Sequence, residues 1–315
     1  MSDGGARARF GVESASVGMR VDQFLARVGA APSVHAARRL IAAGGVSVGG
    51  RTPRKGDRVA AGQVVEVDAD ADGGAGAGAN VVADESAAAL DIVLVDGDLV
   101  AINKPAGVSS HPLHAGERGT VANALVARFP ECATAGGDPR EAGLGHRLDR
   151  ETSGVLLAAR SRPVWERLRA ALSSPDCEKT YLAEVRGEPP TDGSFDGAIG
   201  RRGRRGARVA IDKGRNPLPA HTDWQVLQRR DGSTLLRARL HSGRAHQVRA
   251  HLAAAGYPIL GDALYGGDDV RAWAAGRGVT SLRLHAESVR LQHPVTGAPL
   301  FVVAPSPGWA KMTEP

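Results

Sequence analysis

The densest group of chemically competent side chains lies between Gly145 and Gly154, in the run GHRLDRETSG. It gathers His146, Arg147, Asp149, Arg150, Glu151, Thr152 and Ser153 directly before an apolar stretch at residues 155–159. Charged residues at the mouth of a buried strand are a common place for a site. An aspartate is anionic at neutral pH, and Arg147 and Arg150 on either side favour that form. Asp149 therefore has the character of a nucleophile or a base. The same residues also suit a salt-bridged turn in which Asp149 caps the amides of Thr152 or Ser153.

A second group is LHSGRAHQVRAHL at residues 240–252. Gly243 breaks a strand pattern, and a helix is predicted over 245–254. His246 and Arg249 are three apart and share a face of it. His241, His246 and His251 invite a metal reading, but Arg244 and Arg249 alternate with them and no acidic partner is local. Guanidinium forks facing a phosphate or a carboxylate fit this composition better than a metal. Tyr181, one of three tyrosines, sits in EKTYLAEV. Strand alternation puts it with Ala183 and Val185, opposite Thr180, Leu182 and Glu184. It reads either as a core tyrosine or as a ring that stacks on a base. No phosphate-binding GxxxxGK[ST], dinucleotide GxGxxG, HExxH, CxxC deaminase signature or GxSxG elbow occurs.

The elements that must position these groups follow from periodicity. The 315 residues suit two domains. Residues 1–16 read as a flexible tail and 17–68 as a compact module. In the module Val21, Phe24, Leu25 and Val28 form an amphipathic stripe, and a second helix runs from about 34 to 43, capped by Ser33. Two short strands follow, at 46–48 and 63–67. Residues 69–90 begin with the low-complexity run ADADGGAGAGAN and read as a flexible linker. From 91 to 315, strand patterns outnumber helices without alternating regularly with them. That predicts an α+β domain with a mixed, mainly antiparallel sheet.

Charge and composition narrow the partners. Lys and Arg number 40 against 34 Asp and Glu, a formal net charge of +6. Residues 17–66 hold eight basic and three acidic side chains, and residues 201–215 hold seven basic and one acidic. Two such blocks favour a polyanion. The two cysteines, Cys132 and Cys177, are too few for a disulfide framework or a four-thiolate zinc site, which favours reduced thiols and a cytoplasmic location. No apolar run is long enough for a membrane span, and the N-terminus lacks the apolar core of a secretory signal.

Taken together, these segments resemble the RluA family of RNA pseudouridine synthases. GHRLDRETSG matches its catalytic motif. INKPAGVSSHP (102–112), KTYLAEV (179–185), SGRAHQVRAHL (242–252), GDALYG (261–266) and LHAESVRLQHPVTGAPL (284–300) resemble its other blocks, in order. The first module resembles the S-four-type RNA-binding domain, with its αL motif, that many members carry. The resemblance implies a catalytic domain with an RNA-binding cleft that converts selected uridines to pseudouridine, ribosomal RNA being favoured over transfer RNA. It implies no metal or organic cofactor for the chemistry, and no obligate protein partner is evident. It assigns catalysis to Asp149, Tyr181 and Arg249, and RNA contact to Arg147, which fills the space of the extruded base. His146, Arg150, Arg244 and His246 are further expected RNA contacts. The first module departs from the pattern at Val34, Ala36 and Gly45, where members often carry basic residues, so its RNA contact is expected from Arg38, Arg39 and the 51–58 loop. The alternative is a non-catalytic RNA-binding or ribosome-assembly protein on the same scaffold.

Overall fold

A computed structural model of the chain describes residues 7–31, 34–42, 44–54, 56–68, 81–85, 90–114, 116–202 and 208–312, without the side chains of residues 35, 36 and 39. Contacts divide the chain into two units, Met1–Gly78 and Ala79–Pro315.

In the first unit, β1 (Arg7–Gly11), α1 (Val21–Arg27), α2 (Val34–Ala42), β2 (Val46–Val48) and β3 (Val64–Asp68) enclose a small core. The predicted stripe holds: Val21, Phe24 and Leu25 of α1 are buried against Ala37 and Leu40 of α2 and Val46, Val65 and Val67 of the sheet. Ser33, the expected cap of the second helix, lies outside the described residues. Part of the expected tail is corrected. Residues 7–11 pair antiparallel with β3, and Val12 is buried in the core. The run RARFG alternates, so Arg7 and Arg9 reach Glu66 while Phe10 turns inward.

The second unit is built on β4 (Asp91–Val95), β5 (Leu99–Lys104), α3 (Val121–Arg128), β6 (Ser153–Ala159), α4 (Arg162–Ser173), β7 (Glu178–Arg186) and β8 (Asp192–Asp196). A three-stranded sheet of β9 (Ile199–Arg202), β10 (Arg208–Ile211) and β11 (Arg215–Leu218) interrupts it. Then come β12 (His221–Arg230), β13 (Ser233–Leu240), α5 (Gln247–Ala254), α6 (Gly267–Ala275), β14 (Leu284–Gln292) and β15 (Pro299–Val303). The nine-stranded sheet runs β4-β5-β6-β14-β7-β13-β12-β8, with β15 beside β14. Among the described residues, only the β6–β14 pair of this sheet is parallel.

Residues 155–159 read as a continuous apolar run because β6 is covered on both faces. Leu156 and Ala158 pack with Val121 and Leu125 of α3, while Val155, Leu157 and Ala159 pack with Val164, Leu168 and Leu172 of α4. Of the expected linker, residues 69–80 and 86–89 lie outside the described residues. Val81, however, is buried in the first of these cores, and Asn123 Nδ2 donates to Val82 O at 2.7 Å. That end of the stretch is part of the second unit, because a valine at the edge of the α3 core removes apolar surface from water. Cys132 and Cys177 are both buried free thiols.

One glycine fixes where β6 meets β14. Gly154 has φ +112°, and a Cβ there would lie 2.1 Å from Ala286 O. Both the left-handed backbone and the close approach exclude a side chain. Gly154→Ala is expected to destabilise the second unit by about 2 kcal/mol or more. Urea unfolding followed by tryptophan fluorescence reports this unit alone, since Trp165, Trp224, Trp273 and Trp309 all belong to it. An unchanged midpoint would show that β14 does not need this approach.

Candidate active site

The loop carrying Asp149 is pinned on both sides. Before it, Leu148 is buried; its N–H donates to Ser110 Oγ at 3.1 Å, and Ser110 Oγ donates to Leu148 O at 2.9 Å. After it, Thr152 N–H donates to Asp149 O at 3.1 Å, closing a turn. Lys104, at the end of β5, is fully buried and donates to the carbonyls of Pro105 at 2.8 Å, Val108 at 2.6 Å and Arg150 at 3.0 Å. Burial pushes its ammonium down to about 8, against the upward pull of Glu151 and Asp149. Lys104 thus ties the 105–108 loop to the Asp149 turn. No local pattern singles it out; it lies inside the block INKPAGVSSHP.

The Asp149 side chain is about 20% exposed, open enough for a ligand to reach. Arg249 of α5 donates to its Oδ2 through Nη1 at 2.7 Å. The same guanidinium makes a two-pronged bond to Asp262, Nε to Oδ2 and Nη2 to Oδ1, each at 2.8 Å. Asp262 is fully buried, and its Oδ1 also accepts from the amides of Leu264 and Tyr265 at 2.8 and 3.1 Å. Burial works to raise the Asp262 carboxyl, but the Arg249 hydrogen bonds and charge and the two amides outweigh it and hold the group below the usual carboxylate range. Asp262 was not singled out from the sequence. Its signal is the block GDALYG, where Gly261 and the aspartate form a turn next to the site.

The other Asp149 oxygen faces His246 Nε2 at 3.5 Å. His246 has φ +54°, which starts α5 at Gln247, two residues later than predicted. Its Nδ1 lies 2.9 Å from Tyr265 Oη, which accepts the Val209 amide of β10 at 2.9 Å. The tautomer that accepts the phenol hydrogen at Nδ1 places the Nε2–H towards Asp149. Burial lowers the affinity of His246 for a second proton. In that tautomer a chain of donors runs from β10 through Tyr265 and His246 to the carboxylate.

Tyr181 of β7 pairs across β14 at Ala286, the residue that also faces Gly154. It is partly buried, packed between the α3 and α5 cores. Burial raises its phenol above the ordinary value, and the Asp149 charge adds to the shift. The phenol therefore stays protonated.

The remaining expected residues divide. Arg147 is exposed beside the site. The Arg150 guanidinium is also exposed but donates to Gly107 O at 2.8 Å. His146 turns inward: its Nε2 accepts the Leu157 amide at 3.1 Å, and burial pushes it down to about 3, so it is a neutral strut of the loop. Arg244 is exposed and donates to Pro219 O at 3.3 Å. In the first unit Arg38 donates to buried Asp22 at 2.6 Å, while the Arg39 side chain lies outside the described residues. The three histidines of the second block separate. His246 faces Asp149, His251 bonds Thr222 Oγ1 and Gly197 O, and His241 bonds Asp223.

Comparison with known proteins accounts for both units. Residues 98–254 match the family described as RNA pseudouridylate synthase, and residues 19–65 match the S4 domain. A ribosomal large subunit pseudouridine synthase D of Xanthomonas campestris is 34% identical, with 94% of this chain and 88% of that protein covered. Its namesake in Yersinia pestis is 32% identical, covering 91% and 87%. An RNA pseudouridine synthase of Chloroflexus aurantiacus is 38% identical, covering 91% and 86%. Among solved structures, human RNA pseudouridylate synthase domain containing 1 aligns with a TM-score of 0.54 and 27% identity over 70% of this chain and 84% of that one.

Removing the charge of Asp262 tests the buried pair. Asp262→Asn leaves Arg249 with one carboxylate and is expected to cost about 3 kcal/mol at pH 7. A depressed carboxyl contributes stability above its unfolded pKa and loses it as pH falls through the folded value. The gap between parent and variant should therefore narrow below about pH 4. Urea midpoints at pH 7 and pH 3 measure both; a gap that widens in acid contradicts the pairing.

Proposed function

The chain belongs to the RNA pseudouridylate synthase family, and on that footing we propose that Asp149 is its essential carboxylate, acting on uridines of large-subunit ribosomal RNA. The observation that carries this reading is the carboxylate itself: partly open to solvent, bonded to Arg249 at 2.7 Å, and near enough for its charge to act on the Tyr181 phenol.

The isomerisation breaks the N1–C1′ bond, turns the freed uracil, and forms a C5–C1′ bond, C5 losing one proton to solvent and N1 taking one up. Between those events the sugar is electron-poor or glycal-like. A carboxylate beside the ribose serves either course, by attack at C1′ or by removal of the C2′ proton. Arg249 orients it, and the His246 N–H steadies the second oxygen. The Tyr181 ring retains the uracil by stacking. Its phenol, held in the protonated form, sits near C5 as the proton there departs. The target must leave its stack, at a cost of a few kcal/mol. Arg147 offsets that cost by filling the vacated space.

The backbone is gripped by charge. Arg201, Arg202, Arg208 and Lys213 are exposed on the β9–β11 sheet, whose Val209 amide ends the donor chain to Asp149. In the S-four-type unit, Arg38 and Arg51 stay more than half exposed despite their ion pairs, so they can still meet phosphate. The assignment to ribosomal RNA follows the names of the relatives and the presence of this second RNA-binding unit.

Asp149→Asn should lower tritium release from C5-labelled RNA by at least about 10³-fold, while RNA binding persists. Turnover retained in the variant would overturn the role of Asp149. Pseudouridine mapping of cellular RNA with and without the protein should show sites lost from large-subunit ribosomal RNA; loss confined to transfer RNA would overturn the substrate. Replacing Arg201 and Arg202 by Gln should weaken RNA binding and reduce the slope of log affinity against log salt by about one to two. An unchanged slope would remove these arginines from the grip.

A further inference from the structure

His241, which the sequence leaves without an acidic partner, acquires one from across the sheet. His221 and Asp223 lie two apart on β12 and so point to the same side. Their neighbours Thr222 and Trp224 are buried, Thr222 on His251 of α5 and Trp224 with Val248 of α5, so His221 and Asp223 face away from that helix. His241 follows β13, and its amide donates to His221 O at 3.2 Å. The Asp223 carboxylate lies between the two imidazoles, with Oδ1 at 2.7 Å from His221 Nε2 and Oδ2 at 2.6 Å from His241 Nε2. On the far side of His221, Nδ1 meets Asp196 Oδ1 of β8 at 2.6 Å.

That geometry asks for a cation. A neutral imidazole has one N–H and one lone pair. His221 meets a carboxylate oxygen at both nitrogens, so one contact sets a lone pair against an anionic oxygen unless positive charge lies there. We propose that His221, Asp223 and His241 bind a divalent transition metal of the zinc class, with Asp196 orienting His221 as an outer partner. Two imidazoles and one carboxylate are a donor set that suits zinc. A ligand histidine whose other nitrogen donates to a carboxylate is the usual arrangement around such metals. The candidate donor atoms lie within 4.8 Å of one another, and the three side chains are one-third to one-half exposed. Small rotations bring them around an ion, and solvent supplies the fourth ligand. The site would clamp β8, β12 and the end of β13 where the chain enters and leaves the basic β9–β11 sheet. It lies on the face turned from α5, so it serves structure and not the isomerisation.

The test is calorimetric titration of the full chain, free of any histidine tag and stripped with a chelator, against zinc chloride, with cobalt(II) absorption as a second readout. One equivalent should bind. His241→Ala and Asp223→Asn should each weaken binding at least tenfold, and Asp196→Asn should weaken it about tenfold. Melting in chelator identifies which variants fold like the parent, and any one of them suffices. Pseudouridine formation in chelator should match that with zinc. No stoichiometric binding by the parent, or undiminished binding in every folded variant, overturns the site; the cation at His221 is then a proton.

Discussion

A guanidinium held between two carboxylates organises the candidate active site. Arg249 meets Asp149 with one nitrogen and Asp262 with two others. Asp262 is buried and fixed by two backbone amides, so the plane of the guanidinium is set before Asp149 reaches it. The carboxylate that faces solvent is thus aimed from the opposite wall of the site. The arrangement also settles a conflict of charge. An arginine paired with Asp149 alone would cancel its charge. With Asp262 as first partner, the three groups carry a formal charge of −1, which stays with the carboxylate that faces solvent.

The rest of the second unit brings these groups together from distant parts of the chain. Asp149 comes from the turn before β6, Arg249 from the first turn of α5, Asp262 from the loop beyond it, and Tyr181 from β7. The sheet provides the common floor. Ala286 of β14 faces Gly154 on one side and Tyr181 on the other, so the strand order converts sequence separation into proximity. Lys104 and Ser110 then fix the backbone on either side of Asp149. Buried polar groups of this kind stabilise only when fully bonded, and the Lys104 ammonium donates to three carbonyls, those of Pro105, Val108 and Arg150.

What could be read from the sequence follows the range of each signal. The strand at 155–159 and the stripe of Val21, Phe24 and Leu25 were legible, because periodicity is local. Asp149, Arg249 and Tyr181 were singled out through ordered blocks, and the first two meet in a bond. The strand at residues 7–11 was not, since five residues rich in arginine gain their meaning only from Glu66 and β3. Asp262 escaped because its function depends on a guanidinium thirteen residues earlier. His146 was expected among the RNA contacts, but its nitrogen accepts the Leu157 amide, a direction set by the fold. His241 failed in the opposite sense, since a search along the chain cannot find an acid supplied by the neighbouring strand.

The place of β14 has a consequence for biosynthesis. The strand lies between β6 and β7, and its His285 bonds Ser153, 132 residues earlier. On a ribosome, β6 and β7 emerge long before it and wait with unpaired edges, in a chain whose Asp149 turn has no Ala286 to lean on. Contacts this remote in sequence close slowly, and open strand edges invite aggregation. The candidate site is therefore completed near the end of translation, and a chain released before residue 284 would lack its floor.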